Sequence, residues 1–208
     1  MSDLFSQFVK QAGEWMRGVG PLHEIVISTR IRLARNLANY RFISKTDAAD
    51  KRKIAHEICD AIRAAPSLND YLNIDIEELD ELDRALLVER HLISRQQAEA
   101  SGARRLVFDR NEAAAMMINE EDHLRLQVMR SGFQLDDAWT HINRIDDELQ
   151  ANLDIAFHPQ FGFLTACPTN VGTGLRVSVM LHLPALRLTN EIDRVAQAAK
   201  DLKLAIRG

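Results

Sequence analysis

The sequence predicts an α+β fold in which helices pack on a mostly antiparallel sheet. Strand-like and helix-like stretches come in blocks and do not alternate singly. Three successive apolar runs, Arg105–Phe108, Ala113–Ile118 and Leu124–Met129, are separated only by turn residues, the pattern of strands that fold back on one another. At 208 residues and 46% hydrophobic composition, the chain can bury a substantial core.

The elements follow in order. Leu4, Phe5, Phe8, Ala12, Trp15 and Met16 give residues 4–16 the spacing of a short amphipathic helix, which Gly18, Gly20 and Pro21 break. Residues 1–22 thus read as a leader and 23–208 as the main domain. His23–Ser28 predicts its opening strand. Ala48–Ala65 has helical spacing through Ile54, Ile58, Ala61 and Ile62, and Pro66 ends it. A second helix is expected over Ile76–Val88. The longest is expected over Leu135–Leu153, with Leu135, Ala138, Trp139, Ile142, Ile145, Leu149 and Leu153 along one side. Strands return at Asp154–Phe157, Phe163–Ala166 and Val177–Leu183, then a helix from Pro184 to Leu202 and a last strand at Leu204–Arg207. No internal repeats or low-complexity tracts occur.

A net charge of -4 argues against a general nucleic-acid binder or a membrane-surface protein. No run approaches 18 apolar residues, so no membrane span is predicted. Cys59 and Cys167 lie far apart without C-x-x-C spacing, which suggests neither a disulfide framework nor a zinc site and fits a reducing cytoplasm.

Three stretches concentrate chemistry. In STRIRLARN, Ser28 to Asn36, Arg30 and Arg32 sit two apart and share one face of an extended segment, with Arg35 as a third charge nearby. Planar guanidinium forks match phosphate oxygens, so such a pair can clamp a polyphosphate; a solvated edge strand is the alternative. In NEEDHLRLQ, Asn119 to Gln127, three acids precede His123 and Arg125 at a strand end. A carboxylate there can align a nucleophile and take its proton, although Glu, Asp and His also suit a divalent metal and an exposed turn would look similar. CPTNVGTGLR, Cys167 to Arg176, is a loop with two glycines ending on an arginine. Glycines let backbone amides approach a ligand, but an isolated G-x-G is a weak signal that a plain hairpin turn explains more simply, and no lysine follows them as a Walker A loop requires. Cys167 reads either as a reactive thiol beside arginines or as an inert buried one.

Taken together and in this order, the three motifs closely resemble the guanidino-kinase (phosphagen kinase) family, which includes creatine kinase and arginine kinase. VERHLIS at 88–94 and GLRVSVMLHLPAL at 174–186 are similar to its bacterial protein-arginine kinase branch. The resemblance runs from about His23 to Gly208. It implies that Arg30, Arg32, Arg125, Arg176 and Arg207 hold the nucleotide phosphates and that His91 lies near the adenine. The flanking nucleotide contacts would come from Ser28, Thr29 and Ile31 and from Val177, Ser178, Val179 and Met180. Glu121 would position the substrate guanidinium and act as its base, Asp122 would lie near the magnesium waters, and Cys167 would sit beside the guanidinium. ATP is the implied co-substrate, with Mg²⁺ held mainly through phosphates and water and no dedicated protein metal site.

Two departures from the pattern are local: Thr29 replaces a serine, keeping a hydroxyl, and Met180 stands where creatine kinase has a histidine. A third lies at the end. Family members continue past the matching Arg-Gly with a mobile loop bearing a second guanidinium-binding glutamate. The domain is therefore expected to be truncated before that loop, and the chain alone to bind nucleotide weakly with little kinase activity. The implied function is ATP-dependent phosphorylation of arginine in proteins, marking them for Clp-type proteolysis in a stress response. An activator protein, and a homodimer where a later helical domain exists, would be partners. The alternatives are a catalytically weak fragment with a binding role and a small-molecule guanidino kinase.

Overall fold

The computed structural model describes Phe8, residues 10–99 and residues 101–207. Its centre is a six-stranded sheet, antiparallel at every pairing, in the order β2-β3-β4-β5-β1-β8. The strands are β1 (Val26–Arg35), β2 (Leu72–Asp75), β3 (Arg105–Phe108), β4 (Ala114–Ile118), β5 (Leu124–Ser131) and β8 (Leu175–Leu181), while β6 (Phe157–His158) and β7 (Gly162–Phe163) form a separate hairpin.

The two faces of this sheet are covered unequally. Ile31, Leu33, Val107, Ala114, Met116, Ile118, Leu124, Leu126 and Val128 point to one face. There they meet α1 (Ala48–Ala64) and α4 (Leu135–Gln150), whose inward rows are Ile54, Ile58, Ala61 and Ile62, and Ala138, Ile142, Ile145 and Leu149. Asp47 starts α1 by accepting a hydrogen bond from the Asp50 N–H at 2.8 Å. Ile54 and Ile58 are fully buried, and truncating either to alanine is expected to cost roughly 2–5 kcal/mol. On the opposite face, Leu106, Phe108, Ala115 and Met117 pack under the segment that carries α2 (Glu81–Glu89) and α3 (Arg95–Glu99), through Ile76, Leu87, Leu92 and Ile93. That cover reaches only the β2-β3-β4 side. On the second face of β5, β1 and β8 the Glu14–Met16 turn reaches over the end where Ser28, Met129 and Ser131 are buried, and the rest is left open as a floor.

Several expected elements are redrawn. Of the leader helix over residues 4–16, Leu4 and Phe5 lie outside the described residues, and Glu14–Met16 form a 3₁₀ turn. The opening strand is not confined to His23–Ser28 but runs through Arg35, because partners on both sides satisfy its backbone. The helix expected over Ile76–Val88 begins only at Glu81: residues 72–75 pair with β3, Asp75 turns the chain by accepting from the Glu77 N–H, and Asp80 supplies the cap. Trp139 lies off the inward row of α4 and is 43% exposed. The strand expected at Asp154–Phe157 shrinks to a single bridge between Leu37 and Ile155 and the start of the β6–β7 hairpin, whose second strand is over by Phe163, where Phe163–Ala166 was expected. The helix from Pro184 to Leu202 divides into α5 (Pro184–Leu188) and α6 (Ile192–Asp201), with Asn190 between them in the left-handed region. Leu204–Arg207 forms no strand.

Candidate functional site

Strand register decides what stands on the open floor. Arg30 lies opposite Met129 and Ser178, Arg32 opposite Gln127 and Arg176, and Arg125 opposite Met117 of β4. Period-two alternation puts Arg30, Arg32, Arg125, Gln127, Arg176 and Ser178 on one face. Of these, Arg30, Arg32, Arg125 and Gln127, together with the turn that follows α2, bound a cleft of about 390 Å³ whose rim includes His91, Ser94 and Arg95.

Arg30 and Arg32 of this floor are under-compensated. Arg32 is held down to about 9, first by burial and then by the like charges of Arg30, Arg176, Arg125 and Arg207. Arg30 is lowered by burial and by Arg176 and Arg125. Its Nε makes one long hydrogen bond, 3.4 Å to the Ser178 hydroxyl, and the buried Nε of Arg32 has no partner at all. A buried donor without an acceptor costs free energy, and several clustered cations cost more. An anion bound here relieves both.

Arg125 connects the floor to the acidic turn between β4 and β5. Its Nη1 reaches Glu120 at 2.9 Å and its Nη2 reaches Glu121 at 2.6 Å. Glu120 is buried and also accepts from the Ser94 hydroxyl at 2.7 Å and the Glu121 N–H at 2.8 Å. Glu121 keeps 38% of its side chain exposed, and Arg125 is the only partner of its carboxylate among the described residues. Asp122 and His123 are fully buried. Asp122 Oδ1 accepts from the Asn36 amide at 2.6 Å and the Ala166 N–H at 2.7 Å, which holds the loop bearing Cys167 against the acidic turn; Asp122 Oδ2 is buried without a partner. The His123 ring accepts from the Leu37 N–H at 2.9 Å and donates to the Arg41 carbonyl at 2.9 Å, and burial lowers its pKa. Glu120 and His123 are engaged by protein groups, and no group of three His, Cys, Asp or Glu placed to hold a metal occurs among the described residues.

Other expected contacts separate by role. The Thr29 hydroxyl donates to the Gly132 carbonyl at 2.7 Å and accepts from the Gln134 N–H at 3.1 Å, so it fastens β1 to the start of α4. Ser28 is buried on the floor side beside Met180, whereas Ile31 faces the helices, and Val177, opposite Ile31, and Val179 share that side. Arg35 does not join the cluster: it is buried on the other face, forms a two-pronged pair with Asp146 at 3.0 and 2.7 Å, and stacks on Phe163. Cys167 is half-buried, with its sulfur 3.0 Å from the Thr169 hydroxyl. Gly172 pairs with Phe163, while Gly174 has φ +63° and sits where a Cβ would meet the Ala34 carbonyl at 2.6 Å. Gly174 therefore serves close chain packing, and Gly172, at φ +114°, the turn of the backbone.

His91 has φ +60°, and its pKa is lowered by burial and then by Arg30, which keeps the ring neutral near pH 7. Trp15 packs against it with centroids 4.9 Å apart and donates its indole N–H to the Arg90 carbonyl at 3.1 Å; Gln127 donates to the His91 carbonyl. Neither Trp15 nor Gln127 stood out in the sequence, though Gln127 follows Arg125 at strand spacing.

A sequence profile described as ATP:guanido phosphotransferase, C-terminal catalytic domain, matches residues 53–208. The protein-arginine kinase of Halothermothrix orenii is 44% identical over 199 residues, covering 96% of this chain and 57% of that protein. That of Symbiobacterium thermophilum is 43% identical over 208 residues, 98% of this chain and 59% of the relative. The chain thus spans less than two thirds of the curated relatives it matches. Among solved structures, the taurocyamine kinase from Schistosoma mansoni with bound transition-state-analogue components superposes with TM-score 0.76 at 21% identity, over 89% of this chain and 28% of that one. Lombricine kinase superposes with TM-score 0.68 at 21% identity, over 85% and 54%. The structural likenesses establish the shared fold.

Proposed function

This chain belongs to the ATP:guanido phosphotransferase family, and we propose that its open floor binds the phosphates of ATP for transfer of the γ-phosphoryl group to arginine side chains of proteins. The observation that carries this reading is the uncompensated pair Arg30 and Arg32, above all Arg32 with its buried, unpartnered Nε. Arg30, Arg32, Arg125 and Arg176 supply charge where the transferring group becomes most anionic, and Arg207 adds to the same field. Neutral His91 at the rim offers a flat surface for the base. The name of the relatives, protein-arginine kinase, supports arginine in a protein as acceptor.

A guanidinium is a weak nucleophile because its lone pairs are delocalised. Glu121, the half-exposed acid of the turn, orients it and accepts the proton lost as the attacking nitrogen bonds to the γ-phosphorus and the bond to the ADP oxygen breaks. Cys167 stands on the loop tied to the same turn and would flank the guanidinium. Mg²⁺ bound to the phosphates would spread their charge. Asp122, whose buried Oδ2 has no protein partner, would take up its waters once that oxygen is uncovered, a role that fits a hydrated ion better than a directly ligated one. A cytoplasmic stress-response role upstream of a Clp-type protease, with an activator and dimerisation, rests on the family resemblance.

Incubation of the chain with Mg-[γ-³²P]ATP and an arginine-rich unfolded protein tests the reading. Faint acid-labile label, in keeping with the little activity expected of this chain, that mass spectrometry places on arginine and that disappears in Glu121→Gln is the expected result. Label on hydroxyl side chains, or transfer that persists in Glu121→Gln, overturns it.

A further inference from the structure

A second cavity, of about 520 Å³, opens where the chain leaves β1. Leu37, Tyr40, Phe42 and Leu164 give it apolar walls, and Arg41 and Lys45 stand at its rim. Neither cation has a carboxylate within ion-pair distance among the described residues. Glu57 accepts from the Tyr40 hydroxyl at 3.1 Å and Asp154 from the Asn39 amide at 3.4 Å. Phe42 is 38% exposed beside these charges.

The position of the cavity gives it meaning. Its wall is fastened to the acidic turn by four hydrogen bonds: the Asn36 amide to Asp122, the His123 N–H to the Asn36 Oδ1, the Leu37 N–H to the His123 ring, and that ring to the Arg41 carbonyl. The Tyr40 ring packs edge-on against the same His123 at 6.2 Å. Asp122 and His123 directly follow Glu121 in the chain. A pocket so tied is preformed and stays in fixed register with the proposed guanidinium position.

We propose that this pocket receives the stretch of substrate polypeptide beside the target arginine, taking an apolar or aromatic side chain in its depth and a neighbouring carboxylate at Arg41 and Lys45. The proposal rests on the arginine-phosphorylation reading and assigns it a substrate preference. A polypeptide fits because it presents an apolar group and a carboxylate a few residues from a guanidinium, the combination the cavity, its rim and Glu121 match.

The test uses the whole chain and three fluorescent peptides with one arginine each, flanked by Asp and Leu, by Lys and Leu, or by Gly only. Binding is read by anisotropy and transfer by phosphoarginine formation. The Asp/Leu peptide is expected to bind at least ten-fold tighter than the Lys/Leu peptide. Arg41→Glu combined with Lys45→Glu, both on the surface, should erase or invert that order without changing ATP affinity or the behaviour of the Gly-flanked peptide. Equal binding of the charged peptides, or a preference that survives the double substitution, overturns the pocket and leaves the kinase reading intact. A chain that binds ATP yet neither binds nor phosphorylates any of the three overturns both.

Discussion

Replacing Arg32 with methionine removes the least compensated charge of the floor while keeping most of its bulk. Burial and four neighbouring arginines hold its guanidinium down to about 9. At about 1.4 kcal/mol per pH unit, that displacement from the ordinary arginine range corresponds to several kcal/mol, which partial hydration reduces to roughly 1–2 kcal/mol. Arg32→Met should therefore stabilise the ligand-free chain by that amount, raising Tm by about 3–6 °C for a domain of this size. Tripolyphosphate at about one hundred times its Kd should stabilise the parent chain by about 2.7 kcal/mol and the variant by much less. The pH dependence has a defined sign. Because the folded-state pKa is depressed, the penalty is complete below about 9 and fades as pH rises through it, so the ligand-free parent gains stability on the alkaline side. Bound polyphosphate should flatten that rise. Differential scanning calorimetry at matched ionic strength reads all three effects. A variant less stable than the parent without anion, or one that gains as much from tripolyphosphate, would refute the reasoning.

Glu121→Gln should lower phosphoarginine formation by about 10²-fold or more while ATP affinity changes by less than about three-fold, measured by initial rates and calorimetric titration. Trp15→Ala removes the ring that backs His91 and should weaken ATP binding several-fold while leaving tripolyphosphate binding unchanged; equal loss of both would place Trp15 outside the base end of the cleft. Arg35→Met strands buried Asp146 and should cost about 3–5 kcal/mol in urea unfolding, with much of the loss recovered on adding Asp146→Leu. Gly174→Ala forces a left-handed residue against the Ala34 carbonyl and should cost about 1–3 kcal/mol by the same assay.

Helices α1 and α4 and strands β3 to β5 were legible because each buries one face and its apolar spacing shows the period. The length of β1 was not, since Arg30 and Arg32 fall on an open floor where charge interrupts the apolar pattern that marks a strand. Short β2 was hidden for a different reason: its pairing with β3 spans about thirty residues, and LNID carries little pattern of its own. The motifs placed Arg30, Arg32, Arg125 and Arg176 in one proposal, and register explains how alternate positions on three strands meet. Motif proximity also drew in Arg35, whose partner Asp146 lies 111 positions away. Local sequence carries no sign of such a pairing, nor of the Asn36–Asp122 contact that fixes the Cys167 loop.

The placement of the triphosphate is tested most directly by ATP carrying Mn²⁺, whose unpaired electrons broaden nearby amide resonances of the ¹⁵N-labelled chain. Selective broadening at Arg30–Arg32, Arg125 and Arg176–Ser178, with Leu37–Lys45 spared, is the predicted result. Broadening centred on Leu37–Lys45, or none above that of free Mn²⁺, would contradict the account.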